Sequence, residues 1–360
     1  MDLRISICEL FPWLNIERVE PLGSAGGFSG GQLWKLVAHS ESQTAQYCLR
    51  CWPDEHPSDA QLAWIYRVIK HANAQGCHFL AVPIENSRGQ TISRIGIDDG
   101  PNTARARWEL SPWMPGSANF SDDPNPVRLR NMVQALAKFH LASAQITLDF
   151  HSSQNLQRRV EQLQVLVHSN ELHRLKIAGT SEALRNLPML NRELNDLSLL
   201  FAKHGREWVQ QLLARIGAET SIPGNTLSPD IILPVQPILR DVWHDHVLFT
   251  GEEVTGLIDY GAMQIDNVAF DLARLLGTTV GDDQASWKSG IAAYEELRRL
   301  SSVERKLIPW LDLCNLVLGS LNWLRWLLIE KRSFANWGGV TKRIEFLKRR
   351  LQSTAAASMM

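Results

Sequence analysis

Residues 239–249 read LRDVWHDHVLF, which sets two aspartates and two histidines within six positions, directly before an apolar run. Such a composition is open to three readings: a phosphoryl-transfer loop, a metal cluster built on His244, Asp245 and His246, or a polar turn without chemistry. A further acid, Asp259, ends the apolar run VTGLID. Gly261 behind it lets the chain turn away and leave a carboxylate oxygen exposed to a metal. If Phe249 pairs near Val254 across the turn TGEE, counting back along both strands sets His246 opposite Leu257, close to Asp259. Asp241 then lies on the loop just before the first strand. Phosphoryl transfer asks for one aspartate to orient and deprotonate the attacking hydroxyl and another to hold a divalent cation on the phosphates. It also asks for glycine-rich backbone and a cation to fix those phosphates. Asp241, Asp259, the Gly26–Gly31 segment and Arg50 are candidates for the four parts.

The elements that must position these residues fall into two regimes. Up to about residue 110 the chain alternates apolar runs with turns: LGSAGGFSGGQLWKLV, AQYCLRCW, TISRIGID, a DDGPN turn and TARARWELSPW, a pattern of antiparallel strands. One helical segment interrupts them at 59–72, with Leu62, Ile65, Tyr66 and Ile69 at helical spacing behind Pro57 and Ser58. After WMPGSANFSDDPNP the period changes. Pro126 opens a helix with Leu129, Met132, Val133, Leu136 and Phe139 on one face, and residues 155–216 read as further helices. SIPGNTLSPD is a loop, and the hairpin VLF-TGEE-VTGLID is the one later β element expected. The fold class is therefore α+β: a β-rich lobe over 1–110, a hinge at 111–117, and a helical lobe over 118–360 carrying the loop and the hairpin. Two lobes imply a cleft between them, where ligand sites are often found.

The 37 Lys+Arg against 38 Asp+Glu leave a formal charge of −1, which removes a general electrostatic case for nucleic acid or an anionic membrane. Five scattered cysteines do not make a disulfide framework and suit reduced thiols in a cytoplasmic protein. Cys48 and Cys51 form a C-x-x-C, but in a strand such residues face opposite sides. The N-terminus lacks a basic start and a cleavage site. The most apolar stretch, Leu313–Leu324, stops at Arg325, short of the ~20 residues that span a bilayer, and reads as a buried helix. His140 reads as a core residue rather than a ligand. Asp245, Asp266, Glu295, Glu296 and Glu330 are acids that could receive a cationic substrate.

Three motifs together resemble the aminoglycoside phosphotransferase and choline kinase-like family, which has the protein-kinase-like two-lobe fold. Its members typically carry H-G-D-x-x-x-x-N, a hairpin, I-D-W/F/Y-G/E and then D-x-A-x-D-L-A. Here LRDVWHDHVLF, GLIDYGAM and DNVAFDLARLLG follow in that order. GGFSGGQLW is similar to the family's phosphate loop, CLRCW to its cation-bearing strand, WELSPWMPG to its interlobe hinge and ALAKFHLA to its Leu-His helix. The resemblance implies an ATP-dependent kinase using Mg²⁺ or Mn²⁺ and a small-molecule alcohol acceptor, with a catalytically inactive nucleotide- or metabolite-binding relative as the alternative. It implies Asp241 as catalytic base and Asp259 as metal ligand. It places Gly26, Gly27, Ser29 and Arg50 on the phosphates, backbone around Ser111 and Trp113 on the adenine, and Asp271 in a structural bond to the catalytic loop. His246 stands where the family's metal-binding Asn is usual, Arg50 where Lys is common, and Leu239-Arg240 where His-Gly is usual. Ile65 occupies the helix slot that usually supplies a glutamate to that cation.

Overall fold

The computed structural model describes residues 3–23, 31–40, 43–53, 56–95, 106–147, 149–169, 186–219, 232–334 and 336–357. In chain order its elements are α1 (Leu3–Leu10), β1 (Asn15–Gly23), β2 (Gln32–Ser40), β3 (Gln43–Trp52), α2 (Asp59–Ala74), β4 (Ser93–Ile95), β5 (Ala106–Pro112) and α3 (Pro126–Ala144). There follow β6 (Asp149–Ser152), α4 (Gln154–His168), α5 (Pro188–Glu219), β7 (Ile232–Ile238), β8 (Val247–Thr250), β9 (Glu253–Leu257) and β10 (Gln264–Asp266). The chain closes with α6 (Ala269–Thr279), α7 (Gln284–Glu295), α8 (Ser302–Leu324) and α9 (Trp337–Ala357). Packing groups Met1–Ile146 with His244–Gln264 in one compact unit and Thr147–Trp243 with Ile265–Met360 in another. This grouping follows packing and leaves the lobe division at 111–117 as an expectation.

In the first unit, five antiparallel strands run in the order β1-β2-β3-β5-β4. Ile7, Phe11 and Leu14 pack against Leu36, Leu49, Trp108 and Leu110 to make its core. The expected amphipathic helix is α2. Ser58 caps it by accepting from the Gln61 amide at 3.2 Å, and Leu62, Ile65, Tyr66 and Ile69 are all buried. Asn125 caps α3 with Pro126 in the first turn, and the predicted apolar face is inside. The hairpin β8–β9 is tied into this unit by a reciprocal backbone pair: Ser117 and Phe249 exchange amide and carbonyl bonds at 3.0 and 2.9 Å. Gly116 makes that approach possible. Its φ is +93°, and an added Cβ would lie 2.5 Å from Thr255 Oγ1 and 2.6 Å from the Phe249 carbonyl oxygen. Gly116→Ala is expected to destabilise the protein by more than about 1 kcal/mol, read as a lowered thermal midpoint; an unchanged midpoint would contradict this packing.

The second unit holds the remaining helices and a three-stranded sheet in the order β10-β7-β6. Sequence reading missed this sheet. IILPVQPI carries two prolines, which remove ladder donors and argue against a strand, and yet β7 pairs Phe150 with Pro234 and Asp149 with Val235. The apolar run around Leu313 begins earlier and ends later than expected. From Ser302 through a π turn at Arg325–Ile329 the helical stretch is long and apolar enough to cross a membrane, and 67% of its most apolar window is buried within the protein. Trp310 anchors it, donating to the Leu212 carbonyl at 2.7 Å. His140 is fully buried in α3, beside Phe139. The DDGPN turn and SIPGNTLSPD lie outside the described residues.

Candidate active site

Arg50 sits near the end of β3, directly opposite Glu109 of β5 in the sheet register. Cross-strand partners share a face, so a guanidinium and a carboxylate are set side by side by strand pairing alone. Glu109 is almost fully buried and accepts from Trp52 Nε1 at 2.8 Å and from the Tyr66 hydroxyl at 2.5 Å. The Trp52 ring in turn lies 4.6 Å from the Arg50 guanidinium carbon. Arg50 Nη1 donates to Asp259 Oδ1 at 3.0 Å, across 209 positions of sequence. Burial works against the charge of Arg50, but Asp259, Glu109 and Cys48 outweigh it, and its pKa is raised. Glu109, and no acid of α2, is thus the second carboxylate whose charge acts on Arg50. Glu109 was not singled out from the sequence, although a lone acid in the apolar run WELSPW was the available signal; Tyr66, counted as core, donates to it. Cys48 and Cys51 lie in the same strand and are not joined in a disulfide, and burial pushes the Cys48 thiol up to about 11.

The hairpin brings Asp259 to this cation. Phe249 pairs with Val254 as expected, but Leu248 pairs with Gly256 and Val247 with Leu257, so Thr255 is a bulge. The extra residue moves His246 from the predicted place opposite Leu257 to one opposite Ile258, whose amide donates to the His246 carbonyl at 3.0 Å. His246 Nε2 then stands 3.6 Å from Asp259 Oδ2. His244–His246 is a 3₁₀ turn, not a strand, so its two histidines do not share a strand face. The turning residue is Asp259 itself, at φ +66°, a conformation that Asp tolerates better than most residues. Gly261 has another task than the one predicted: an added Cβ would lie 2.9 Å from the Trp52 ring, so glycine admits the tryptophan that stacks on Arg50.

Among the described residues no three His, Cys, Asp or Glu side chains are grouped to hold a metal ion. A zinc-type site on His244, Asp245 and His246 would need such a group. One carboxylate that can share a cation with bound phosphates suits Mg²⁺, which is often held by one or two carboxylates plus phosphate oxygens. Ser111 lies on β5 opposite Cys48, and the Trp113 amide donates to the Gln46 carbonyl at 3.0 Å. Lys35 Nζ is 4.5 Å from the Trp113 ring centre. Gly26, Gly27 and Ser29 lie outside the described residues.

Asp241 belongs to the second unit. Its loop is held by Asp271, fully buried in α6, whose two oxygens accept from the Leu239 amide at 2.7 Å and the Arg240 amide at 2.6 Å. These bonds support Arg240 at φ +66°, a conformation uncommon for a long side chain. Asp241 Oδ1 accepts from Arg274 Nη2 at 2.7 Å. Arg274 lies one turn beyond Asp271 on α6, so one helix holds both the loop backbone and its carboxylate. Sequence reading passed over Arg274, although it is inside DNVAFDLARLLG.

A sequence profile of the phosphotransferase enzyme family matches residues 27–307. The chain belongs to this family. Among curated proteins, the homoserine kinase of Methylocella silvestris is 37% identical over 86 residues, 22% of this chain and 26% of that protein. The chain thus matches about a quarter of the length of that relative. The solved structure of spectinomycin phosphotransferase in complex with ADP and spectinomycin has 12% identity and a TM-score of 0.63, covering 99% of this chain and 98% of that one. Amicoumacin kinase in complex with AMP-PNP and Ca²⁺ has 13% identity and a TM-score of 0.56, covering 98% and 94%. At such identities the likeness is one of fold: this phosphotransferase family member has the α+β, protein-kinase-like fold.

Proposed function

We propose that this phosphotransferase is an ATP-dependent kinase that moves the γ-phosphoryl group to a hydroxyl of a small molecule. The observation that carries the reading is the pairing of Arg50 with Asp259, which brings a half-buried cation and a metal-type carboxylate within 3.0 Å of each other across 209 positions of sequence. Asp241 would orient the acceptor hydroxyl and take its proton as the oxygen bonds to the γ-phosphorus and the bond to the β-phosphate oxygen breaks, releasing ADP. Arg50 would contact the phosphates, together with backbone around Gly26, Gly27 and Ser29. Backbone near Ser111 and Trp113 would receive the adenine. A divalent cation, Mg²⁺ or Mn²⁺, would be held by Asp259 with His246 beside it, and when bound it neutralises charge on the phosphoryl oxygens. Family membership supports the reading, as do the nucleotides in the two solved relatives.

Thermal stabilisation by ATP, with and without Mg²⁺, tests it. Ligand at about 100 times its Kd adds roughly 2.7 kcal/mol to the folded state. We expect a metal-enhanced rise in the thermal midpoint that Asp259→Ala abolishes. No rise for the parent protein at saturating nucleotide would sink the kinase reading and favour a binding scaffold of another kind.

A further inference from the structure

Arg50 has a planar partner as well as an acidic one. Trp52 follows it by two positions on β3, so strand alternation puts both side chains on one face of the sheet. The Arg50 guanidinium carbon lies 4.6 Å from the centre of the Trp52 ring. Glu109 stands opposite Arg50 in the register with β5, which makes it the diagonal neighbour of Trp52. Its Oε2 accepts from Trp52 Nε1 at 2.8 Å and from the Tyr66 hydroxyl at 2.5 Å, and Trp52, Tyr66 and Glu109 are all buried. The far end of the indole meets Gly261, where an added Cβ would lie 2.9 Å from ring carbons Cη2 and Cζ3. The φ of Gly261 is outside the left-handed range, so glycine there answers to the space that Trp52 takes and not to a turn.

A ring held at both ends can do for a guanidinium what it cannot do for an ammonium. The arginine fork is planar and stacks on an aromatic face, which fixes the plane in which its N–H groups lie. The lysine ammonium is a point charge on a flexible stem and has no plane to fix. Attraction between a cation and a ring is also larger where water is excluded. Among the described residues the one hydrogen bond of Arg50 runs from Nη1 to Asp259, at 3.0 Å. The other donors of the fork are left for phosphate oxygens, which a planar fork can meet two at a time.

We propose that Trp52 is a positioning residue for Arg50, locked by Glu109 and given room by Gly261, and that this set fits the phosphate site to arginine and against lysine. The proposal rests on the kinase reading above, in which Arg50 contacts the phosphates of ATP. It gives the departure at position 50 a cause: arginine stands where lysine is common because a planar cation is what this indole can hold.

Calorimetric titration of the full chain with ATP and Mg²⁺, and with adenosine as a probe that has the base and no phosphates, separates positioning from general damage. Trp52→Leu should weaken ATP binding by about tenfold, the worth of a desolvated stack, and leave adenosine binding within about twofold of the parent. Trp52→Phe keeps a ring beside the guanidinium and should recover most of the loss. Arg50→Lys should cost about tenfold in the parent and no more than about twofold in a Trp52→Leu background, where there is no stack left to lose. Should Trp52→Leu fail to fold, Gly261→Ala takes its place with the same expectations, since the added methyl crowds the ring while leaving both partners of the stack unchanged. Unchanged ATP affinity in these variants, equal losses for ATP and adenosine, or an Arg50→Lys cost that is the same with and without Trp52 would each overturn the proposal. ATP binding by the parent that survives such a result leaves the kinase reading standing, whereas a parent that binds no ATP removes that reading and this proposal with it.

Discussion

Asp241→Asn is expected to lower kcat by about 10²–10⁴-fold, the usual worth of a positioned general base. Asparagine keeps the shape and can still accept a hydrogen bond from Arg274, so the loop held by Asp271 stays in place. What is lost is the charge and the capacity to take the acceptor's proton. On the proposed reading nucleotide binding calls on Arg50 and Asp259, which lie in the other compact unit, and should be retained. The check is a pair of measurements on one preparation: steady-state turnover with an accepted alcohol, and the midpoint shift produced by ATP and Mg²⁺. Turnover equal to that of the parent would remove Asp241 from the mechanism. A lost ATP shift would instead mean that the substitution damages the fold, and Asp241→Glu would then be used to separate charge from position.

The largest stability effect is expected at Arg350, far in function from the proposed chemistry. Its guanidinium is nearly buried and bonds Asp282 Oδ1 at 2.9 Å, Asp312 Oδ2 at 2.9 Å and the Gly277 carbonyl at 3.0 Å. Arg350→Met removes the cation and leaves Asp312 without its compensating charge, a cost of about 3–5 kcal/mol. The loss should depend on pH. Burial raises the pKa of Asp312 even with Arg350 opposing it, so the carboxyl takes up a proton more readily in the folded chain than in the unfolded one. A carboxyl raised in this way contributes stability below its folded pKa, and the contribution disappears as pH rises through that value. Without Arg350 the pKa rises further. The destabilisation by Arg350→Met is therefore largest at neutral pH and shrinks on acidification towards the ordinary carboxylate range. Thermal midpoints of both proteins at pH 7.5 and pH 5 would show it, and a difference that is constant or grows at pH 5 would contradict the account.

Local pattern determined a large share of this protein. The apolar face of α2, the capped start of α3, the strand nature of YCLRCW and the pairing of Phe249 with Val254 were all readable, because helix and strand periods, caps and turns are encoded within a few residues. The order of the motifs around Asp241, Asp259 and Asp271 was enough to indicate the family, and the structural bond of Asp271 to the loop is present as the resemblance implied.

Tertiary structure decided what surrounds those residues. Glu109 stands beside Arg50 because β5 pairs with β3 across 59 positions, and no periodicity within either segment reports that pairing. The bulge at Thr255 moved His246 by one place, since one unpaired residue leaves no mark on the alternation of so short a hairpin. Gly261 was legible as a special position, but the reason, the approach of Trp52, comes from a strand 209 residues earlier. Arg274 carried no signal of its own within its helix, and only the fold sets it against Asp241. The sequence by itself therefore determined which candidate residues are present for the proposed phosphoryl transfer and which elements carry most of them. The charges that neighbour each one were settled by contacts distant in sequence, because electrostatic environment depends on separation in space and not along the chain.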